Sequence, residues 1–326
     1  MPARVARKLA LLGTTIAVLA TAGVAAAANG GFTPPTPHSP NANRINDAYY
    51  VIAIFTGLIF LIVETALILF IVRYRSRGRA RSAEGAQVHG HSRLEVIWTT
   101  VPVIIIAIIG GFVFYKLPGI SGAPASAAGN NVQIRVDAHQ FYWEFTYPNG
   151  AKSIDDVHLP VDRVVEFTIH SQDVAHSWWI PQLGGKTDAI PGIVNHVWYK
   201  PDRTGVYQGQ CAEFCGVFHE RMLQRATVES DADYRTFTTK TSHAELGKAE
   251  WQGVCAKCHG MTGQGDYGPA IASNATLTQP AGLEEIVRHG RGRMPGVGND
   301  WTAEQMKALV TYLKKSVYKE ATTSGG

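Results

Sequence analysis

Only four cysteines occur in the 326 residues, and charged residues make up just 17% of the chain. Neither sign of charge dominates: 30 Lys and Arg against 26 Asp and Glu leave a net +4. An excess so small and dispersed excludes a nucleic-acid binder held by phosphate contacts. Intrinsic disorder is excluded too, because 45% hydrophobic and 10% aromatic residues form a folding composition. The chain has no internal repeat, no glycine loop shaped to cradle a phosphate and no serine-nucleophile motif. Its length suffices for two domains at roughly 100–200 residues each. The mean hydropathy of −0.03 suits a soluble protein, but that average conceals long apolar runs before residue 118 and a polar, mixed remainder.

Residues 1–28 have the form of a secretory signal peptide. Arg4, Arg7 and Lys8 precede a short apolar stretch, and Ala25 to Ala28 place small residues at the cleavage positions. Residues 29–46 contain Pro34, Pro35, Pro37 and Pro40 and are expected to be an irregular linker. A transmembrane helical hairpin is expected over 47–118. Its first span, 49–72, carries one charge, Glu64, and its second, 96–115, carries none. At ~1.5 Å per residue the first span is about 36 Å long, enough to cross a hydrocarbon core of ~30 Å with some tilt. Between the spans, Arg73, Arg75, Arg77, Arg79, Arg81 and Arg93 face a single acid, Glu84. This bias puts the loop in the cytoplasm and everything after residue 118 outside. Glu64 is expensive in a lipid-facing position and is expected to meet protein, through a packing hydrogen bond to a partner subunit rather than a proton relay.

A small-residue linker, 119–130, leads to period-two segments such as Val132–Ala138 and Arg163–Ser171, which predict an antiparallel β-sandwich or barrel over 131–240. After a second linker, 241–247, residues 248–320 have helical texture, followed by a tail, 321–326. Met306, Leu309, Val310, Leu313 and Val317 form one apolar stripe. The β module holds 10 basic and 14 acidic residues and the helical module 9 and 7, so opposite net charges of −4 and +2 favour docking of one on the other.

Four cysteines in an exported protein ordinarily suggest two disulfides, but these spacings do not. Cys255-Ala256-Lys257-Cys258-His259 is the pattern of covalent c-type haem attachment, with His259 as the proximal ligand. A zinc site competes poorly, since no second Cys/His pair follows at the required spacing. The sixth ligand is expected to be Met294, in Arg293-Met294-Pro295-Gly296. Met261 lies too near His259 in sequence to reach the opposite haem face, and Met306 belongs to the apolar stripe. The other pair sits in the run 211–222, where Cys211, Cys215, His219 and Met222 converge within twelve residues. Thiolate, imidazole and thioether donors select copper, and the surplus thiolate predicts a dinuclear centre. That centre needs a second imidazole, for which His176 is the best donor. His139, His158, His170 and His196 have no comparable context and are expected to be structural.

With these motifs the chain resembles subunit II of haem-copper cytochrome c oxidases with a C-terminal cytochrome c domain, the caa type, over nearly its whole length. The resemblance implies a multidomain membrane protein: a two-helix hairpin, an all-β cupredoxin sandwich and an all-α class I-like cytochrome c domain. It implies a dinuclear CuA centre on His176, Cys211, Glu213 (through its carbonyl), Cys215, His219 and Met222. It also implies a magnesium ion shared with subunit I through the Glu213 side chain. Haem c would be held by Cys255, Cys258, His259 and Met294. Gly185 to Gly192 resembles a segment facing subunit I. Leu94-Glu95-Val96-Ile97-Trp98 resembles the start of the second span, where Glu95 would mark the mouth of a proton pathway.

The same resemblance implies an oxidase with subunits I and III, a c-type cytochrome donor and a place in the bacterial cytoplasmic membrane, with both outer modules on the periplasmic side. No bond-making residue is expected in this chain, because oxygen chemistry belongs to the partner. The competing expectations are the electron-input subunit of a CuA-containing nitric-oxide reductase and a free-standing membrane electron carrier. One position departs from the family pattern: the aromatic patch His139-Gln140-Phe141-Tyr142-Trp143 has Phe141 where the family commonly has Trp. This departure implies a different route for electrons into the copper site.

Overall fold

The structure, a computed structural model, describes residues 33–75, 87, 89–124, 131–240 and 243–319. The expected signal peptide, Arg77, Arg79, Arg81, Glu84 and the tail lie outside the described residues.

Helix α1 runs Pro40–Tyr74 and α2 runs Ser92–Lys116, followed by a single turn, α3, Pro118–Ser121. The first two helices have stretches of mean hydropathy 2.6 and 2.4 in which no residue is buried. Lys116 Nζ donates to Asp47 Oδ2 at 2.6 Å and joins their outer ends. At the other end α2 is capped twice. Leu94 N donates to His91 Nδ1, and His91 N donates to Glu95 Oε1.

Helix α1 begins earlier than expected, inside the proline-rich segment read as an irregular linker. Pro40 occupies the first helical turn, where its missing N–H costs nothing and its fixed φ already suits a helix. This early start reaches the β module. Asn41 Nδ2 donates to the Trp198 carbonyl at 2.6 Å, and Lys200 N donates to Ser39 Oγ at 3.1 Å.

The β module has ten strands: β1 Val132–His139, β2 Tyr142–Thr146, β3 Lys152–Ile154, β4 Asp156–Pro160, β5 Val165–Ser171, β6 His176–Trp179, β7 Thr187–Ala189, β8 Asn195–Tyr199, β9 Gly205–Cys211 and β10 Leu223–Glu229. They form two five-stranded sheets, ordered β3-β2-β1-β5-β8 and β4-β10-β9-β6-β7. The sheets are not purely antiparallel, as the alternation had suggested. β1 pairs parallel with β5, and β4 with β10. Between β1 and β5 the chain makes the hairpin strands β2 and β3 and then crosses to the other sheet as β4, a detour long enough to return in the same direction. Trp143, Phe145, Phe167, Trp178 and Tyr199 fill the space between the sheets, with Trp178 Nε1 donating to Tyr199 Oη at 2.6 Å.

Helix α4, Asp231–Lys240, closes this module. The C-terminal module follows with α5 His243–Glu250, a π-turn Trp251–Cys255, α6 Ala256–His259, α7 Pro280–His289, α8 Ala303–Tyr312 and a final π-turn Leu313–Val317. Thr302 and Gln305 form a reciprocal capping box that starts α8. The expected stripe is buried: Met306, Leu309, Val310, Leu313 and Val317 pack with Trp251, Leu283 and Val287. Tyr142 and Ile154 of the β module belong to this same core, so the two modules share apolar packing.

Candidate functional site

Strands β9 and β10 are antiparallel neighbours, with Leu223 opposite Gln210, and the segment between them must turn back on itself. It does so through a 3-10 turn, His219–Arg221, which folds His219 and Met222 under Cys211 and Cys215. Strand β6 lies on the other side of β9, with Trp178 opposite Cys211. That pairing brings His176 to the cluster across 35 residues of sequence.

The donor atoms converge tightly. The two Sγ atoms are 4.0 Å apart, twice the length of a disulfide bond. Cys211 Sγ is 3.8 Å from His176 Nδ1 and 3.2 Å from the Glu213 carbonyl. Cys215 Sγ is 3.5 Å from His219 Nδ1 and 3.7 Å from Met222 Sδ. His176, Cys211, Cys215 and Met222 are buried, whereas the Glu213 side chain faces outward. His176, Cys211 and Cys215 offer donor atoms within 4.8 Å of one another. This soft set of thiols, imidazoles and thioether fits copper, and the cluster is consistent with a CuA centre.

The electrostatics suit thiolate ligation. A hydrogen bond from Cys215, opposed by burial and aided by His176, brings the Cys211 thiol down to about 3. The same hydrogen bond, then burial and the Cys211 charge, pushes Cys215 up, so without a cation the pair keeps one proton. A metal ion would displace that proton.

Asp173 is a further functional residue that no motif marks. Its Oδ1 lies 2.8 Å from His176 Nε2, which fixes the ring so that Nδ1 faces the thiols. Burial pushes the Asp173 carboxyl up, but hydrogen bonds from His176, Gln140 N and Val174 N outweigh it and hold the group below its ordinary value. The signal available was an acid three residues before the candidate histidine. Gln140 is another; its Nε2 donates to the Cys215 carbonyl.

In the C-terminal module the π-turn and α6 carry Cys255, Cys258 and His259. His259 is buried, and its Nδ1 lies 2.8 Å from the Pro269 carbonyl, leaving Nε2 for a metal. Gly268 lies against the imidazole, where an added Cβ would be 3.0 Å from the ring. All four cysteines are free thiols. Burial, followed by the charges of Glu250 and Cys258, pushes Cys255 up to about 12. These residues fit a covalently held haem c. Met261 is 56% exposed and Met306 is in the core, whereas Met294 lies half-buried in a tight loop bridged to Arg291.

Other candidates lie apart from these sites. Glu95 is exposed and caps α2, Glu64 is exposed on α1, and the segment 185–192 contributes β7. His139 stacks on Tyr142 and His158 on Phe237.

The fold and the two sites define a class: a membrane-anchored cupredoxin with a CuA-like Cys/His cluster and an attached cytochrome c domain. Comparison with known proteins narrows it. Residues 27–115 match the cytochrome c oxidase subunit II transmembrane domain, 152–228 its periplasmic domain, and 242–313 the family of cbb3-type cytochrome c oxidase subunit III. Cytochrome c oxidase subunit 2 of Alkalihalophilus pseudofirmus is 33% identical over 85% of this chain and 89% of its own. The subunits 2 of Thermostichus vulcanus and Bacillus sp. strain PS3 are 27% and 28% identical, over 62% and 74% of this chain and 76% and 79% of theirs. The chain belongs to the cytochrome c oxidase subunit 2 family. It is a membrane protein with two transmembrane helices, a periplasmic cupredoxin domain and a C-terminal cytochrome c domain.

Proposed function

We propose that this chain is the electron-input subunit of a proton-pumping haem-copper oxidase, working with subunits I and III in a bacterial cytoplasmic membrane. The observation that carries the reading is the convergence of two thiols, two imidazoles, a thioether and a carbonyl in one chain with a haem-attachment motif. When bound, the haem and the copper pair supply reversible one-electron carriage from a c-type donor towards the partner. The protein's own residues do the rest. His176, Cys211, Glu213, Cys215, His219 and Met222 would hold the copper, and Cys255, Cys258, His259 and Met294 the haem. Asp173 orients His176, and Trp143 and Trp178, packed edge to face, exclude water behind it. We assign the cupredoxin domain to 131–240 and the cytochrome domain to 248–320. The Glu213 carboxylate would share a magnesium ion with subunit I, and Glu95 would mark the mouth of a proton pathway. Glu64, exposed in the first span, calls for a partner subunit, which argues against a free-standing carrier.

The test is purification of the complex in mild detergent, with oxygen and nitric-oxide consumption assayed on a reduced c-type donor. Cyanide-sensitive oxygen uptake is expected; turnover of nitric oxide alone would move the chain to the reductase branch. Met294→Ala should change the haem spectrum and lower its potential, and an unchanged spectrum would transfer the ligand role elsewhere.

A further inference from the structure

The segment carrying the copper donors and the segment carrying the haem cysteines touch each other. Arg221 adjoins Met222, and Lys257 lies between Cys255 and Cys258. Arg221 Nη1 donates to the Lys257 carbonyl at 2.8 Å and to Asp266 Oδ2 at 3.0 Å. Lys257 Nζ reaches the opposite way, donating to the Phe141 carbonyl at 2.7 Å and to Asp155 Oδ2 at 2.6 Å. Each module thus sends one cation into the other, and each cation takes one main-chain carbonyl and one carboxylate. The approach is close: a Cβ on Gly253 would lie 2.4 Å from Ile154 Cγ2.

The aromatic patch lies under this contact. Tyr142 is fully buried, donates from Oη to the Val297 carbonyl at 2.8 Å and accepts from Trp301 Nε1 at 3.0 Å. Val297 lies three residues after Met294. Both haem-side loops therefore bear on the cupredoxin face that an external donor would otherwise use.

We infer that Arg221 and Lys257 are positioning residues for electron transfer between the haem and copper sites. They clamp the two loops in one geometry, so the crossing needs no docking step. The inference rests on the functional reading above. With both groups bound, the step that Arg221 and Lys257 serve would move one electron from haem to copper, with no bond made or broken. An external c-type donor then returns one electron to the haem iron. Two reciprocal cations, each with two charge-assisted hydrogen bonds, suit such a role, because a small misplacement of reacting groups is costly in rate.

The experiment uses the full chain in its complex, with the haem reduced by a laser flash and its reoxidation by copper followed optically. Lys257→Gln should slow that step about tenfold, because it removes the cation that holds the Phe141 carbonyl and Asp155 in the clamp. Asp266→Asn, which removes the carboxylate partner of Arg221 without altering the copper segment, should slow it in the same direction. Hydrogen exchange of residues 139–143 and 216–222 should rise in both variants, while the haem absorption and copper resonance spectra stay unchanged. Unaltered transfer rates in both variants would overturn the inference. An unmodified chain lacking either spectrum would instead overturn the functional reading, and the inference with it.

Discussion

Single residues decide the chemistry of both sites. Cys215 touches three other donor groups, Cys211, His219 and Met222, so its loss removes the shared ligand. Cys215→Ser is expected to abolish the mixed-valence copper resonance and to leave the haem spectrum intact; survival of the resonance would sink the dinuclear assignment. Glu250 poses a different problem. It is fully buried between the modules, and among the described residues neither carboxylate oxygen has a hydrogen-bond partner. Burial, then the charge of Glu144, push its carboxyl from 4.5 up to about 9, against a lowering by Lys152. A carboxyl raised on folding favours the folded state while protonated. The stability it allows is full below about 4.5 and is lost as pH rises towards 9. Glu250→Gln keeps the neutral shape, so its Tm should exceed that of the unmodified chain at high pH by at least about 2 °C. The two should melt together in acid. Equal melting throughout would show that the carboxyl is solvated.

Among the described elements, α5 and α8 cross in close backbone contact. A Cβ on Gly247 would lie 2.2 Å from the Ala308 carbonyl oxygen. Alanine would gain about 1 kcal/mol of helix propensity over glycine, but forcing two backbones apart in a packed core costs about 1–3 kcal/mol. The clash concerns main chain, which cannot rotate away, so it wins. Gly247→Ala is expected to destabilise the cytochrome domain by about 1–2 kcal/mol in denaturant unfolding, and a more stable variant would mean that the helices separate freely. The transmembrane elements follow a simpler logic. Their apolar length is set by the membrane, and their ends are set by Pro40 at one terminus and the His91–Glu95 cap at the other.

Across the whole molecule, the outer modules behave as one body. Tyr142 and Ile154 of the cupredoxin lie in the cytochrome core, and Gln305 Nε2 donates to Glu144 Oε2 at 2.6 Å across the boundary. Calorimetry of the full chain is expected to show both modules unfolding in one transition; two well-separated transitions would refute the shared core. Opposite net charges did suggest docking. The contact is instead made by reciprocal pairs, Lys257 with Asp155 and Arg221 with Asp266, so position rather than total charge holds it. Lys257 and Asp155 are each 18% exposed, and that pair is the less screened by salt.

The amino-acid sequence alone determined the parts that depend on local spacing. Two apolar runs with arginines between them define the hairpin, C-x-x-C-H defines haem attachment, and the run 211–222 defines a copper loop, because each needs only neighbours along the chain. His176 was also legible, since the run 211–222 required a second imidazole and His139, His158, His170 and His196 had no comparable context. What the sequence left undetermined depends on distance in space rather than along the chain. The parallel pairings of β1 with β5 and β4 with β10 arise from a crossover between sheets that alternation does not encode. Asp173 matters only because strand pairing turns His176 towards it, and Lys257 and Arg221 matter only because two modules 36 residues apart at that point fold face to face. Local periodicity reports which face is buried; only tertiary packing decides what that face is buried against.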